Sequence, residues 1–81
     1  MVYVDVKSIN ENIVIALYHP ERKDAEPGTI TFDIKEQQML GYDRSPVDKM
    51  TLDWYIGHAV MALKRMTSET PMRISGMSAW Y

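Results

Sequence analysis

Hydrophobic and polar residues alternate at the start of the chain in the manner of a β-strand. The segment VYVDVK at residues 2–7 has a valine at every second position, with Tyr3, Asp5 and Lys7 between the valines. A period of two is typical of a strand that buries one face. The polar run NEN at residues 10–12 is typical of a turn. The pattern therefore predicts a first strand with Val4 in the core, followed by a turn.

The next segment, IVIALYH at residues 13–19, is apolar at almost every position. Its β-branched content favours a strand, and the lack of polar interruption predicts that both faces are buried. A helix is the alternative, because Ser8 and Glu11 have the spacing of a capping box and Pro20 could follow a helix end. We favour the strand, because three consecutive β-branched residues disfavour a helix. The residues predicted to be buried in this strand are Ile13, Ile15 and Leu17.

A second pair of strands is predicted after a polar loop. Residues 19–28, HPERKDAEPG, carry mixed charge and two prolines, which is typical of a solvated loop. Residues 29–34, TITFDI, then alternate, with Phe32 on the apolar side. QMLGYD at residues 38–43 follows a short polar connection, so these two segments are predicted to form a β-hairpin.

The stretch LDWYIGHAVMALKRM, from Leu52 to Met66, is predicted to form the helix. Pro46 breaks the preceding strand, and Asp48 is a candidate N-cap. Pro71 prevents the helix from continuing, and residues 72–81, MRISGMSAWY, predict a final strand. The predicted fold class is therefore α+β: an antiparallel sheet of four to five strands with one α-helix packed on one face, in the order β-β-β-β-α-β.

Strand parity makes a prediction for the end of the chain. Trp80 shares its parity with Met72 and Ile74, so these side chains are predicted to face the core. Tyr81 is predicted to point the other way. Gly76 lies within this strand, and a bulge at this glycine would reverse the phase.

The predicted helix has apolar residues on two opposite sides, whereas a helix on a small sheet needs only one apolar side. The side predicted to face the core comprises Leu52, Tyr55, Ile56, Ala59, Leu63 and Met66. The opposite side comprises Met50, Trp54, Gly57, Met61 and Lys64, with His58 and Arg65 flanking them.

This second apolar side predicts a protein interface. Trp and Arg are enriched in binding hot spots, Met adapts its shape, and Gly57 lets another backbone approach closely. A second copy of the chain would pack this side against itself around a two-fold axis. The alternatives are ordinary surface exposure and cover by a loop or by the C-terminal segment.

Composition narrows the class of protein. The 81 residues are enough for one domain, and 46% hydrophobic and 25% charged residues are ordinary for a globular one. The absence of cysteine excludes thiol catalysis and cysteine-ligated metal sites, and it suits a reducing cytoplasm. The longest apolar run, IVIALY, has six residues, too few for a membrane span. The first residues lack the basic region of a signal peptide. We therefore expect a cytoplasmic protein.

Two candidates for acid–base chemistry have ordinary explanations. His58 lies beside Trp54 on the helix, but Asp53 is at a poor angle to orient it, so we expect a surface or interface histidine without a chemical role. Asp33 and Asp43 could face each other across the predicted hairpin as an acid–base pair. Solvent exposure, or pairing with neighbouring basic residues, is the simpler interpretation.

A third candidate is a metal cluster in the charged loop. His19, Glu21 and Asp24 are close in sequence and could form a weak divalent-metal site. Arg22 and Lys23 lie in the same run and neutralise the carboxylates. We therefore expect a solvated loop, and we predict no metal and no cofactor for this chain.

The distribution of charged residues limits which part of the chain could bind nucleic acid. Residues 1–47 hold eight acidic and five basic residues, whereas residues 48–81 hold three acidic and four basic ones. Only the second half could bind phosphates, and its basic count is low for that purpose. The residues that would be involved are Lys49, Lys64, Arg65, Arg73, Trp54, Trp80 and Tyr81.

The sequence therefore predicts a small non-enzymatic protein-interaction module that is homodimeric and acts as an adaptor or modulator. Two alternatives remain open. One is a weak binder of single-stranded nucleic acid through the C-terminal half. The other is a small enzyme or ligand-binding protein whose site forms at the subunit interface and uses His58. We expect neither nucleic acid nor a membrane among the partners.

Overall fold

The computed structural model describes residues 1–49 and 53–79. These residues form five strands and one helix, in the order β-β-β-β-α-β predicted from the sequence. The strands pair into one antiparallel sheet with the spatial order β4-β3-β2-β1-β5, and the helix packs on one face. The α+β fold class is thus confirmed. The bounds are β1 Val2–Asn10, β2 Ile13–Pro20, β3 Gly28–Asp33, β4 Gln38–Asp43, α1 Trp54–Ser68 and β5 Ser75–Ser78.

The first hairpin resolves the choice between strand and helix for residues 8–19. β1 and β2 pair over almost their whole length, from Val2 opposite Pro20 to Asn10 opposite Ile13. Glu11 forms the turn with φ near 57°, a left-handed conformation that tight turns use. Long-range pairing with β1 therefore overrides the local capping-box signal.

The core lies between the helix and one face of the sheet, which we term the covered face. Val4 and Phe32 are fully buried there, and Ile56 and Leu63 pack onto them from the helix, as predicted. The other buried apolar residues of this cluster are Val2, Val14, Ala16, Tyr18, Ile30, Ala59, Ala62 and Met66.

The prediction for β2 was wrong in phase and in the number of buried faces. Val14 is fully buried, whereas Ile15 is 36% exposed. Ile13 and Leu17 share the side of Ile15 and are only partly buried. The reason is that pairing with β1 places the even-numbered residues of β2 beside the valines of the covered face. The described residues supply no second layer, so the other face of the sheet, which we term the open face, remains in contact with solvent.

Gly28 shows how tightly one corner of the covered face is packed. Gly28 lies opposite Tyr18 in the register of β2 and β3. A Cβ atom on Gly28 would stand 2.3 Å from the Tyr18 ring and 2.5 Å from the backbone of Asp43 and Ser45. No side chain fits there, so the glycine is required by the aromatic ring that covers it.

The helix begins and ends two residues later than predicted. Its N-cap residue is Asp53, not Asp48. Asp48 is instead buried and accepts a hydrogen bond from Tyr18, so a tertiary contact occupies the carboxylate that the sequence suggested as a cap. In the described part of the chain, the helix is too short and too polar to cross a membrane. The predictions for Met50 and Leu52 lie outside the described residues.

The last strand is shorter than predicted. β5 pairs with β1 at the edge of the sheet, with Gly76 opposite Val4. Ile74, predicted to face the core, is 63% exposed: it shares the parity of Gly76 and Ser78 but lies before the first residue of β5, outside the part of the strand that the helix covers. A Cβ atom on Gly76 would lie 2.7 Å from the Met66 sulfur, so the glycine lets helix and edge strand approach closely. The predictions for Trp80 and Tyr81 lie outside the described residues.

Candidate functional site

The candidate site is the side of α1 that faces away from the sheet, which we term the outer helix face. Its described residues are Trp54, Gly57, His58, Met61 and Arg65. Trp54 is 42% exposed and Met61 is 54% exposed. Gly57 is exposed, and an added Cβ atom would meet nothing within 4 Å. The sequence therefore placed this surface on the correct side of the helix; Met50, assigned to it as well, lies outside the described residues.

The connection before the helix positions Trp54. Asp53 has a left-handed backbone with φ near 48°, and its carbonyl accepts a hydrogen bond from the Gly57 amide at 2.9 Å. The Asp53 carboxylate accepts a hydrogen bond from the Arg44 guanidinium and one from the Tyr42 hydroxyl at 3.4 Å. The end of β4 and the residue after it thereby hold the first turn of the helix in place.

His58 and Arg65 join the outer helix face to the edge strand β5. The ring centroids of His58 and Trp54 are 5.3 Å apart at a tilt of 56°. His58 Nδ1 lies 3.4 Å from the Ser78 hydroxyl. Arg65 donates a hydrogen bond to the Met77 carbonyl at 3.0 Å. These contacts fix both side chains at the rim of the exposed apolar surface, where interfaces carry polar groups.

A buried polar cluster lies at the far corner of the covered face. The Tyr18 hydroxyl donates to Asp48 Oδ2 at 2.9 Å and accepts from the Ser45 amide at 2.8 Å. Arg44 lies 3.5 Å from Asp48 Oδ1. Burial, together with the neighbouring Asp48 carboxylate, raises the pKa of Tyr18 to about 12, although the hydrogen bond from the Ser45 amide acts in the opposite direction. The cluster fastens the segment before the helix to the sheet, so we assign it a structural role.

In the structure, His19 contacts Asp5 and Ala25, not the Glu21 and Asp24 of the metal cluster considered above. His19 Nδ1 lies 2.8 Å from the Ala25 carbonyl oxygen, and Nε2 lies 3.4 Å from Asp5 Oδ2. No group of three or more His, Asp or Glu side chains in residues 1–49 and 53–79 is arranged to hold a metal ion. Sequence reasoning missed the pair with Asp5, because it depends on the register between β1 and β2.

The carboxylates of the second hairpin are not an acid–base pair. Asp33 lies opposite Gln38 at the turn end of the hairpin, whereas Asp43 lies opposite Thr29 at the other end. Asp33 accepts a hydrogen bond from the Glu36 amide at 3.1 Å, which stabilises the turn. The register therefore separates the two carboxylates that the sequence allowed to meet.

Two of the basic residues considered for nucleic acid are engaged within the chain. Arg65 bonds the Met77 carbonyl, and Arg73 Nε lies 3.5 Å from Glu69 Oε2. Both cations therefore lie near the short edge strand. Trp80 and Tyr81, which would have supplied stacking, lie outside the described residues.

Comparison with known proteins adds no relative: no family model, no curated protein and no solved structure matches this chain.

Proposed function

We propose that this chain is a small non-enzymatic protein-interaction module that forms a homodimer through its outer helix face. The observation that carries the proposal is the exposure of Trp54 and Met61 on the same side of one helix. Large aromatic and flexible apolar side chains of this kind dominate the energetics of interfaces. A cytoplasmic location is part of the proposal, because a cysteine-free chain of 81 residues suits a reducing compartment.

Gly57 supports an interface with a helix. A glycine inside a helix costs about 1 kcal/mol relative to alanine. Gly57 is exposed and meets no neighbour that would exclude a methyl group, so the fold of the described chain does not require it. A second helix crossing at this point would require it, because glycine allows two backbones to approach closely. In a two-fold arrangement, Gly57 of each copy lies near the axis, with Trp54 against Met61 of its mate.

The size of the surface predicts a dimer of moderate affinity. Burying the exposed parts of Trp54 and Met61 removes on the order of 400 Å² of apolar surface over two subunits, or roughly 10 kcal/mol. Association costs about 4–15 kcal/mol, so the two terms nearly cancel. His58 and Arg65 must therefore contribute at the rim. We expect dissociation in the range of tens of micromolar.

The test is sedimentation equilibrium of the wild type and of the double variant Trp54→Glu, Met61→Glu. Two glutamates per subunit would bring like charges together in a desolvated surface, so we expect a dimeric wild type and a folded monomeric variant. Far-ultraviolet circular dichroism shows whether the variant keeps its fold. A wild type that is monomeric at hundreds of micromolar would refute the proposal.

The matched control is the double variant Ile9→Glu, Leu40→Glu. Ile9 is 50% exposed and Leu40 is 52% exposed, close to the values for the helix pair, but they lie on β1 and β4. We expect this control to remain dimeric. A monomeric control would place the interface on the sheet instead. Nucleic acid that copurifies, measured by the absorbance ratio at 260 and 280 nm, would contradict the proposed class of partner.

A further inference from the structure

A second surface, on the opposite side of the molecule from the helix, has the form of a ligand site. A cleft of about 440 Å³ lies where β1 and β5 pair. Tyr3 lies opposite Met77, and Asp5 lies opposite Ser75, so these four side chains share the open face. We term this site the sheet cleft. A volume of this size is within the range of pockets that hold small molecules. The side chains used in the argument below are Tyr3, Asp5, Lys23, Arg73, Ser75 and Met77.

Two cations from separate segments line the sheet cleft. Lys23 comes from the loop between β2 and β3, and its Nζ lies 5.6 Å from the centroid of the Tyr3 ring. Among the described residues, Lys23 forms no ion pair with a carboxylate. Arg73 precedes β5 and pairs with Glu69, but both side chains are at least half exposed, at 63% and 50%. Surface ion pairs contribute little, so a ligand anion can displace Glu69 at small cost.

Among the described residues that line the sheet cleft, Asp5 is the one carboxylate, and it already contacts a histidine. Asp5 Oδ2 lies 3.4 Å from His19 Nε2, and the His19 side chain is only 12% exposed. His19 Nδ1 faces the Ala25 carbonyl oxygen at 2.8 Å. Both ring nitrogens of His19 thus face oxygen atoms. Lys23 and Arg73 outnumber Asp5 among the described residues that line the cleft, so these side chains carry a net positive charge.

We propose that the sheet cleft binds a small organic anion. Its carboxylate or phosphate group contacts Lys23 and Arg73, and the Ser75 hydroxyl donates to the same group. The apolar part of the ligand lies against the Tyr3 ring and Met77, which is 44% exposed. This combination of an apolar wall with a few convergent polar groups is typical of small-molecule sites. The proposal concerns a different face from the proposed dimer interface, so the two can fail independently.

The experiment is a titration of the ¹⁵N-labelled protein, followed by amide chemical shifts, with phenyl phosphate, phenylacetate and benzyl alcohol as probes. We expect saturable shifts at Ser75, Gly76 and Met77 with at least one of the two anions, with dissociation constants of roughly 1 mM. The tighter of the two anions identifies phosphate or carboxylate as the preferred group. Benzyl alcohol, which has the ring without the charge, is expected to bind about tenfold more weakly.

Variants of the cations complete the test. Lys23→Gln and Arg73→Gln are each expected to weaken the better anion about fivefold. Arg22→Gln is the matched control, because Arg22 is beside Lys23 in the same loop but pairs with Asp24 and does not line the cleft. It should leave binding unchanged. Equal binding of benzyl alcohol, the absence of saturable shifts, or unchanged affinity in both cleft variants would overturn the proposal.

Discussion

Both faces of the sheet carry apolar residues, but the surroundings of these residues differ strongly. On the covered face, Val14 and Phe32 have no exposed surface. On the open face, Ile15 is 36% exposed and lies opposite Ser8 of β1 and Thr31 of β3. Apolar character alone therefore does not identify the core side of a strand. The core side is the side on which α1 packs, and the strand register places the matching residues of each neighbouring strand on that same side.

Truncation of the covered face should have the largest effect. Phe32→Ala removes a fully buried ring that packs in the cluster with the helix, so we expect a loss of about 3–5 kcal/mol in the free energy of unfolding. Urea denaturation followed by circular dichroism measures it. A loss below about 0.5 kcal/mol would mean that the helix is not seated on this face.

Neighbouring residues of β2 provide the sharpest comparison of the two faces. Val14→Thr keeps the shape of a fully buried side chain but places a hydroxyl in the core, for an expected loss of about 2 kcal/mol. Ile15→Thr removes more apolar surface but keeps β-branching on the open face, for an expected loss below about 1 kcal/mol. The midpoints of urea unfolding of the two variants measure both losses. A larger loss for Ile15→Thr than for Val14→Thr would support the buried face of β2 that we predicted from the sequence.

The polar corner of the covered face should have a smaller effect. Tyr18→Phe leaves the buried Asp48 carboxylate and the Ser45 amide without the hydroxyl, for an expected loss of about 1–2 kcal/mol. Tyr42→Phe is the control, because its hydroxyl lies 3.4 Å from Asp53 at an exposed site; we expect no measurable loss. Equal losses in the two variants would show that burial of the Tyr18 hydroxyl is not what matters.

The pKa values of two tyrosines predict how the stability of the fold depends on pH. Burial raises the pKa of Tyr18 from 10.0 to about 12, and burial with the Glu21 carboxylate does the same for Tyr55. The folded state therefore holds these protons more tightly than the unfolded state. Their contribution to stability is complete below pH 10 and is lost as the pH rises through 12. Urea midpoints between these pH values should fall less steeply in Tyr18→Phe than in the wild type.

The smallest effect is expected on the outer helix face and has the opposite sign. Gly57→Ala should stabilise the monomer by about 0.5–1 kcal/mol, because alanine favours a helix and the added methyl meets no neighbour within 4 Å. Measuring Gly57→Ala in the monomeric variant Trp54→Glu, Met61→Glu separates its effect on the monomer from its effect on the dimer. In the wild-type background, the same substitution should weaken the dimer. If Gly57→Ala stabilises the monomer but leaves the affinity of the dimer unchanged, Gly57 does not lie where the two helices approach most closely.

Much of the fold could be predicted from the sequence, because the signals that specify it are local. Alternation identified the first and third strands, β-branched content identified the second, and the helical period identified Ile56 and Leu63 as core residues. The outer position of Trp54 and Met61 follows from the same period. Element ends were less accurate: Asp48 had the chemistry of a helix cap, but the tertiary contact with Tyr18 places it in the core.

The sequence by itself determined the order of the elements and the two-sided character of the helix, since periodicity is a property of neighbouring residues. Only the tertiary structure decided which face of β2 is buried, that Asp5 meets His19, and that Lys23 and Arg73 line one cleft. The residues of each pair, Asp5 with His19 and Lys23 with Arg73, are distant in sequence, and the strand register brings them together. A shift of one residue would turn every side chain of a strand to the other face, so no local pattern can fix such contacts.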